Sequence, residues 1–105
     1  MAALDPDPDT VVETRDGEVP TLVLRGELDS SNMALLQHAV DAVLARRPAS
    51  LVFDFTELTF IDSAGIAVLV TTRAVVKQIE IRNPSAILRR VLTATGLTDL
   101  LHLEP

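Results

Sequence analysis

No cysteine, tryptophan or tyrosine occurs in these 105 residues, and phenylalanine occurs only three times. Without cysteine there is no disulfide framework, no thiolate metal site and no cysteine nucleophile. With so few aromatics, the core has to be aliphatic. Glycine is scarce too, four residues in all, and neither G-x-x-x-x-G-K-[ST] nor G-x-G-x-x-G occurs. A nucleotide-driven enzyme with a Gly-rich phosphate cradle is therefore not expected. Long apolar runs are also missing. The longest, Ile66–Val70, is too short to span a bilayer. The two histidines, His38 and His102, stand far apart with no His or Cys near them. No metal site and no cofactor is expected.

What is present is acid, unevenly placed. The formal net charge is −6, and residues 1–30 carry all of it, with eight acids against two bases. Phosphate binding needs a basic face, so no direct contact with nucleic acid is expected. The opening MAALDPDPDT has neither a basic nor an apolar signal region. Residues 1–9 read as a flexible acidic lead-in and residues 10–105 as one domain. The chain reads as cytoplasmic, with no membrane partner.

The pattern alternates strand and helix. Val11-Val12 opens a strand, Asp16-Gly17 signals a tight type I′ turn, and Thr21–Leu24 returns. Pro20 points to an edge or a bulge. Ser30, Ser31 and Asn32 are all good helix caps before the apolar stripe Met33, Leu36, Val40, Val43 and Leu44. Arg46 and Arg47 are expected in the last turn, ahead of Pro48. Leu51–Phe55 reads as a strand with Asp54 near its end, and Thr56–Phe60 as a crossover. Ala64 to about Val76 is helical and apolar all round in its first two turns, which predicts a fully buried helix. Gln78–Arg82 alternates as a strand. Asn83-Pro84-Ser85 starts a helix with Ile87, Leu88, Val91 and Leu92 on its stripe, and Gly96 caps it. Leu100–Leu103 reads as a last short strand or coil. The order β-β-α-β-α-β-α implies an α/β domain. Its sheet is mixed and mostly parallel, with an N-terminal hairpin.

The chemistry turns on Ile61-Asp62-Ser63-Ala64-Gly65. A hydrolytic serine would need G-x-S-x-G followed by an acid and then a histidine. Position 61 is Ile and the only later histidine is His102. A receiver-like phosphoacceptor at Asp54 would use Glu27 and Asp29 to hold Mg²⁺, but no lysine ends the last strand. Two readings stay open together. Asp62 or Ser63 caps the following helix, and Ser63 accepts a phosphate where the helix dipole tolerates negative charge. Ala64 and Gly65 then leave room for a partner's backbone.

Three segments resemble a known family: GELD at Gly26–Asp29, LVFDFTELTFIDSAGIAVLV at Leu51–Val70, and NPSAILRRVLTATGL at Asn83–Leu97. Together they resemble the STAS domain (sulfate transporter and anti-sigma factor antagonist), above all the stand-alone bacterial anti-sigma factor antagonists. The resemblance implies a non-enzymatic binding module. Its partner would be an anti-sigma factor that is also a serine kinase of the histidine-kinase-like ATPase type, and a phosphatase would reverse the modification. It implies Ser63 as the phosphorylated residue. It implies Gly26, Glu27, Asp29, Ser30, Ile61, Asp62, Ala64 and Gly65 as the partner-facing set. The same resemblance allows a docking subunit of a lipid-transport or stress-signalling complex without a phosphate cycle. Between Gly65 and Asn83 the chain is a few residues shorter than the usual family pattern, around Lys77.

Overall fold

In the computed structural model, residues 11–15, 17, 19–96 and 102–104 are described. The expected lead-in, Asp16 of the predicted turn, and Leu100 and Leu101 lie outside them. Strand β1 (Val11–Arg15) and strand β2 (Thr21–Leu28) pair antiparallel. Then come helix α1 (Met33–Leu44), strand β3 (Ser50–Ile61), helix α2 (Ser63–Val75), strand β4 (Gln78–Arg82), helix α3 (Ala86–Ala94) and strand β5 (His102–Glu104). The sheet runs β1-β2-β3-β4-β5, with every pair after the first parallel. The expected mixed sheet and element order are present, with the terminal strand included.

Because spatial order follows chain order, crossovers of one hand put all three helices on the same face. The packing agrees. Leu22, Leu24, Leu51, Phe53, Phe55, Ile79 and Ile81 from the strands join one apolar cluster with Leu36, Val40, Val43, Val68, Leu69, Leu88 and Leu92 from the helices. Phe53 and Phe55, two residues apart on that face, stack tilted at 6.4 Å between ring centres. Val23 and Val52 alternate to the opposite face and stay outside the cluster.

Several local expectations are corrected. Hairpin pairing stops at Arg15–Thr21, so five residues join the strands rather than two. Pro20 precedes β2, an interior strand, and its carbonyl accepts from the Val52 N–H at 3.0 Å. Helix α1 ends at Leu44, so Arg46 and Arg47 lie in the turn beyond it. Pro84 stands before the cap rather than in the first turn of α3. Ser85 is the cap, and its hydroxyl accepts from the Leu88 N–H at 3.2 Å.

The largest correction concerns β3. Thr56–Phe60 is not a crossover. The strand continues to Ile61 through two register shifts against β2, one between Val23 and Arg25 and one between Gly26 and Glu27. Each shift adds one residue to β3, as β-bulges do. Asp54 therefore sits in mid-strand, where its carboxylate accepts from the Thr56 N–H at 2.9 Å and from the Thr56 hydroxyl. Helix α2 is not buried all round either. Gly65, Val68, Leu69 and Thr72 face inward, while Val70 is 42% and Val75 67% exposed, because no second layer covers the helices. Near Lys77, α2 reaches β4 directly. Val76 closes the helix, its N–H on the Thr72 carbonyl at 2.8 Å, and β4 starts at Gln78.

Arg47 holds a left-handed backbone with φ of 52°, a conformation that suits glycine at the end of a helix. Arg47→Gly should raise unfolding free energy by roughly 0.5–1 kcal/mol in a urea titration. A loss would show that the arginine side chain contributes more than its backbone costs.

Candidate functional site

The site forms where the two central parallel strands end together. Leu28 is the register partner of Ile61, and the Asp62 N–H donates to the Leu28 carbonyl at 3.1 Å. That bond sets the Gly26–Ser30 segment beside the Asp62–Gly65 turn, as neighbouring strands predict.

On the first side, Gly26 holds a positive φ of 82° at the second register shift of β3. Its carbonyl accepts from the bulged Thr59 hydroxyl at 2.9 Å. Asn32, the residue at the start of α1, is 3% exposed. Its side-chain amide donates to the Glu27 carbonyl at 2.7 Å and accepts from the Asp29 N–H at 3.0 Å. The Asp29 carboxylate in turn accepts from the Ser31 N–H at 2.9 Å and from the Ser31 hydroxyl. Those Ser31 hydrogen bonds hold the Asp29 pKa below its ordinary 3.8.

On the second side, Asp62 has extended backbone and its carboxylate accepts from the Ala64 N–H at 3.0 Å and the Gly65 N–H at 3.2 Å. Of the two capping candidates, Asp62 is therefore the cap. Ser63 is the first helical residue, and it is exposed. The N–H groups of Ala64 and Gly65, at the amino-terminal end of the helix, are already engaged by Asp62. Charge added to Ser63 would project outward beside a carboxylate.

Gly65 has a packing reason. A Cβ built on it would lie 2.5 Å from Ile61 Cγ1, 2.8 Å from Ile61 Cδ1 and 3.6 Å from Met33 Cε. Only glycine lets α2 start this close to the end of β3 and the start of α1. Ile61 and Gly65 are buried, so in the free chain they support the surface rather than form it. Glu27, Ser30 and Ser63 are exposed, and Asp29, Asp62, Ala64 and Gly26 are half-buried.

The sequence pattern marks Asn32 only as a cap candidate and gives no sign of the positions that Thr59 and Phe60 take. Phe60 is the one phenylalanine outside the core, 46% exposed and in register with Glu27. His102, on the edge strand β5, is the register partner of Glu80, with β4 between it and β3. Among the described residues no group of three or more His, Cys, Asp or Glu could hold a metal ion. A cleft of about 500 Å³ lined by Val19, Ser50, Val52, Gln78 and Glu80 lies at the opposite, amino-terminal end of β3 and β4. No helix among the described residues is long and apolar enough to cross a membrane.

The family model described as "Mlab, STAS domain" matches residues 11–103. Over 67 residues the chain is 34% identical to the anti-sigma-F factor antagonist RsfB of Mycobacterium tuberculosis, which is 64% of this chain and 55% of that protein. It thus spans about half the length of the curated relatives it matches. An anti-sigma factor antagonist from Mycobacterium paratuberculosis superposes with a TM-score of 0.86 at 27% identity, covering 94% of this chain and 89% of that one. The phosphorylated form of the Bacillus cell fate determinant SpoIIAA shares the fold, with a TM-score of 0.68, 21% identity and 91% of each chain covered.

Two outcomes follow from this geometry. Gly65→Ala should cost about 1–2 kcal/mol in thermal unfolding, because the overlap with Ile61 outweighs the better helix propensity of alanine. A more stable variant would contradict the close approach. Asp29 has a lowered folded-state pKa, so its contribution is full above about pH 4 and fades as pH falls through that lowered value. Asp29→Asn keeps an acceptor but cannot titrate. Below about pH 4 its stability should fall less steeply than that of the wild type, and parallel curves would contradict the assignment.

Proposed function

The chain belongs to the STAS domain family, and from that premise we propose that it is an anti-sigma factor antagonist switched by phosphorylation of Ser63. One observation carries the reading most directly. Ser63 is an exposed hydroxyl on the first turn of α2, locked by strand pairing beside the GELD segment. In the unmodified state, Gly26, Glu27, Asp29 and Ser30 together with Asp62, Ser63 and Ala64 meet an anti-sigma factor. Ile61 and Gly65 hold that surface from beneath. Occupying the anti-sigma factor frees its sigma factor for transcription.

The inactivating step transfers the γ-phosphoryl group of ATP to Ser63 Oγ. A P–O bond forms to serine, the bond to the ADP leaving group breaks, and the hydroxyl proton leaves to a base on the kinase. The product carries about −1.5 to −2 charges at pH 7. Beside Asp62 and Glu27, that charge opposes docking by repulsion and by the cost of desolvation. The domain is left intact, because the Asp62 cap and the Asp62–Leu28 bond need no rearrangement. Catalysis belongs to the kinase and to a separate phosphatase.

The "Mlab" description of the matching family model favours one second reading. In it the same surface docks to a lipid-transport or stress-signalling complex, with no phosphate cycle.

The test uses the purified chain, ATP and the histidine-kinase-like anti-sigma factor of the source organism. Phosphate should map to Ser63 and be acid-stable. Ser63→Ala should bind and escape modification, and Ser63→Asp should bind at least about tenfold more weakly, a loss of ~1.4 kcal/mol. Acid-labile phosphate on Asp54 would contradict the proposal. So would recovery of a transporter ATPase, with Ser63→Asp binding unchanged.

A further inference from the structure

Asn32 stands at the helix-cap position of α1, yet its side chain makes no capping hydrogen bond. An asparagine there normally accepts from an N–H of the first turn, a gain of about 1 kcal/mol. Here the amide turns back instead. Nδ2 donates to the Glu27 carbonyl at 2.7 Å, Oδ1 accepts from the Asp29 N–H at 3.0 Å, and its own N–H donates to the Asp29 carbonyl at 3.2 Å. At 3% exposure it is one of two buried polar side chains among the described residues, and both ends of its amide are satisfied. The other, Thr72, bonds within its own helix to the Val68 carbonyl. The next residue, Met33, packs toward Gly65 of the phosphoacceptor turn. The start of α1 thus touches both halves of the site.

We propose that Asn32 is a positioning residue for partner recognition, holding the Glu27–Asp29 backbone in its docking shape before the partner arrives. The inference rests on the reading of this surface as the anti-sigma factor contact and adds a residue to it. A bound loop that is ordered beforehand loses less entropy on association. Local choices that forgo an ordinary stabilising contact are expected at functional positions. Asn32 gives up a helix cap and fixes a loop whose Glu27 and Ser30 face outward.

Asn32→Asp separates the two roles. Aspartate caps helices as well as asparagine does, but has no N–H for the Glu27 carbonyl. The full chain and the anti-sigma factor kinase of the source organism are used. Asn32→Asp and Asn32→Ala should each weaken binding by about tenfold or more. Val43→Ala, a core change in the same helix, should lose stability while keeping wild-type affinity in its folded fraction. Binding of Asn32→Asp at wild-type strength would overturn the proposal, as would an equal loss in Val43→Ala. Amide hydrogen exchange on the free chain gives an answer that needs no partner. Asn32→Ala should speed exchange at Asp29 about tenfold relative to core amides. Unchanged protection there would overturn the inference even if the kinase binds. A wild-type chain that binds no such kinase, with exchange at Asp29 altered, would instead refute the functional reading alone.

Discussion

The parallel pairing of β2 with β3 is the constraint on which the rest depends. It ends in the Leu28–Ile61 register pair and the hydrogen bond from the Asp62 N–H to the Leu28 carbonyl. Those contacts bring together segments more than thirty residues apart in sequence. From them follow the capping of α2 by Asp62, the exposure of Ser63 and the side-by-side placement of the GELD backbone. Gly65 makes the junction possible, since any side chain there would meet Ile61. The core below fixes the strand ends, with Leu22, Leu24, Phe53 and Phe55 fully buried under the helices.

The carboxylates of the surface are tied into local structure. The Asp62 and Asp29 carboxylates are both committed to local hydrogen bonds. Asp62 serves the helix and Asp29 serves the turn at Ser31. Charge placed on Ser63 would therefore meet fixed negative groups and occupied N–H donors. On the proposed reading, such a modification would change what can dock while leaving the fold alone.

Much of this was legible in the sequence, and the misreadings have physical causes. The D-S-A-G turn and the GELD segment follow neighbouring strands, and the structure sets them side by side at one end of the sheet. The sequence pattern ends β3 early because the burial of the strand does not alternate. Its two bulges space Phe55, Leu58 and Ile61 three apart, although all face inward. The pattern of α2 implies a central helix because its outward residues are apolar as well. Periodicity cannot report that the sheet carries a helical layer on one face only. Asn32 reads as a cap candidate, but the direction of its side chain depends on a loop that local pattern does not fix. The bond from the Thr59 hydroxyl to the Gly26 carbonyl and the exposure of Phe60 carry no signal in the sequence, since both follow from the bulge.

On the proposed reading, phosphate on Ser63 alters a surface without altering the domain. Backbone amide NMR spectra of the unmodified chain and the Ser63-phosphorylated chain test it directly. Shifts should be confined to Gly26–Asn32 and Asp62–Ile66, with the amides of Leu51–Phe55 and Gln78–Arg82 unmoved. Widespread shifts across those central strands, or a loss of dispersion, would contradict it.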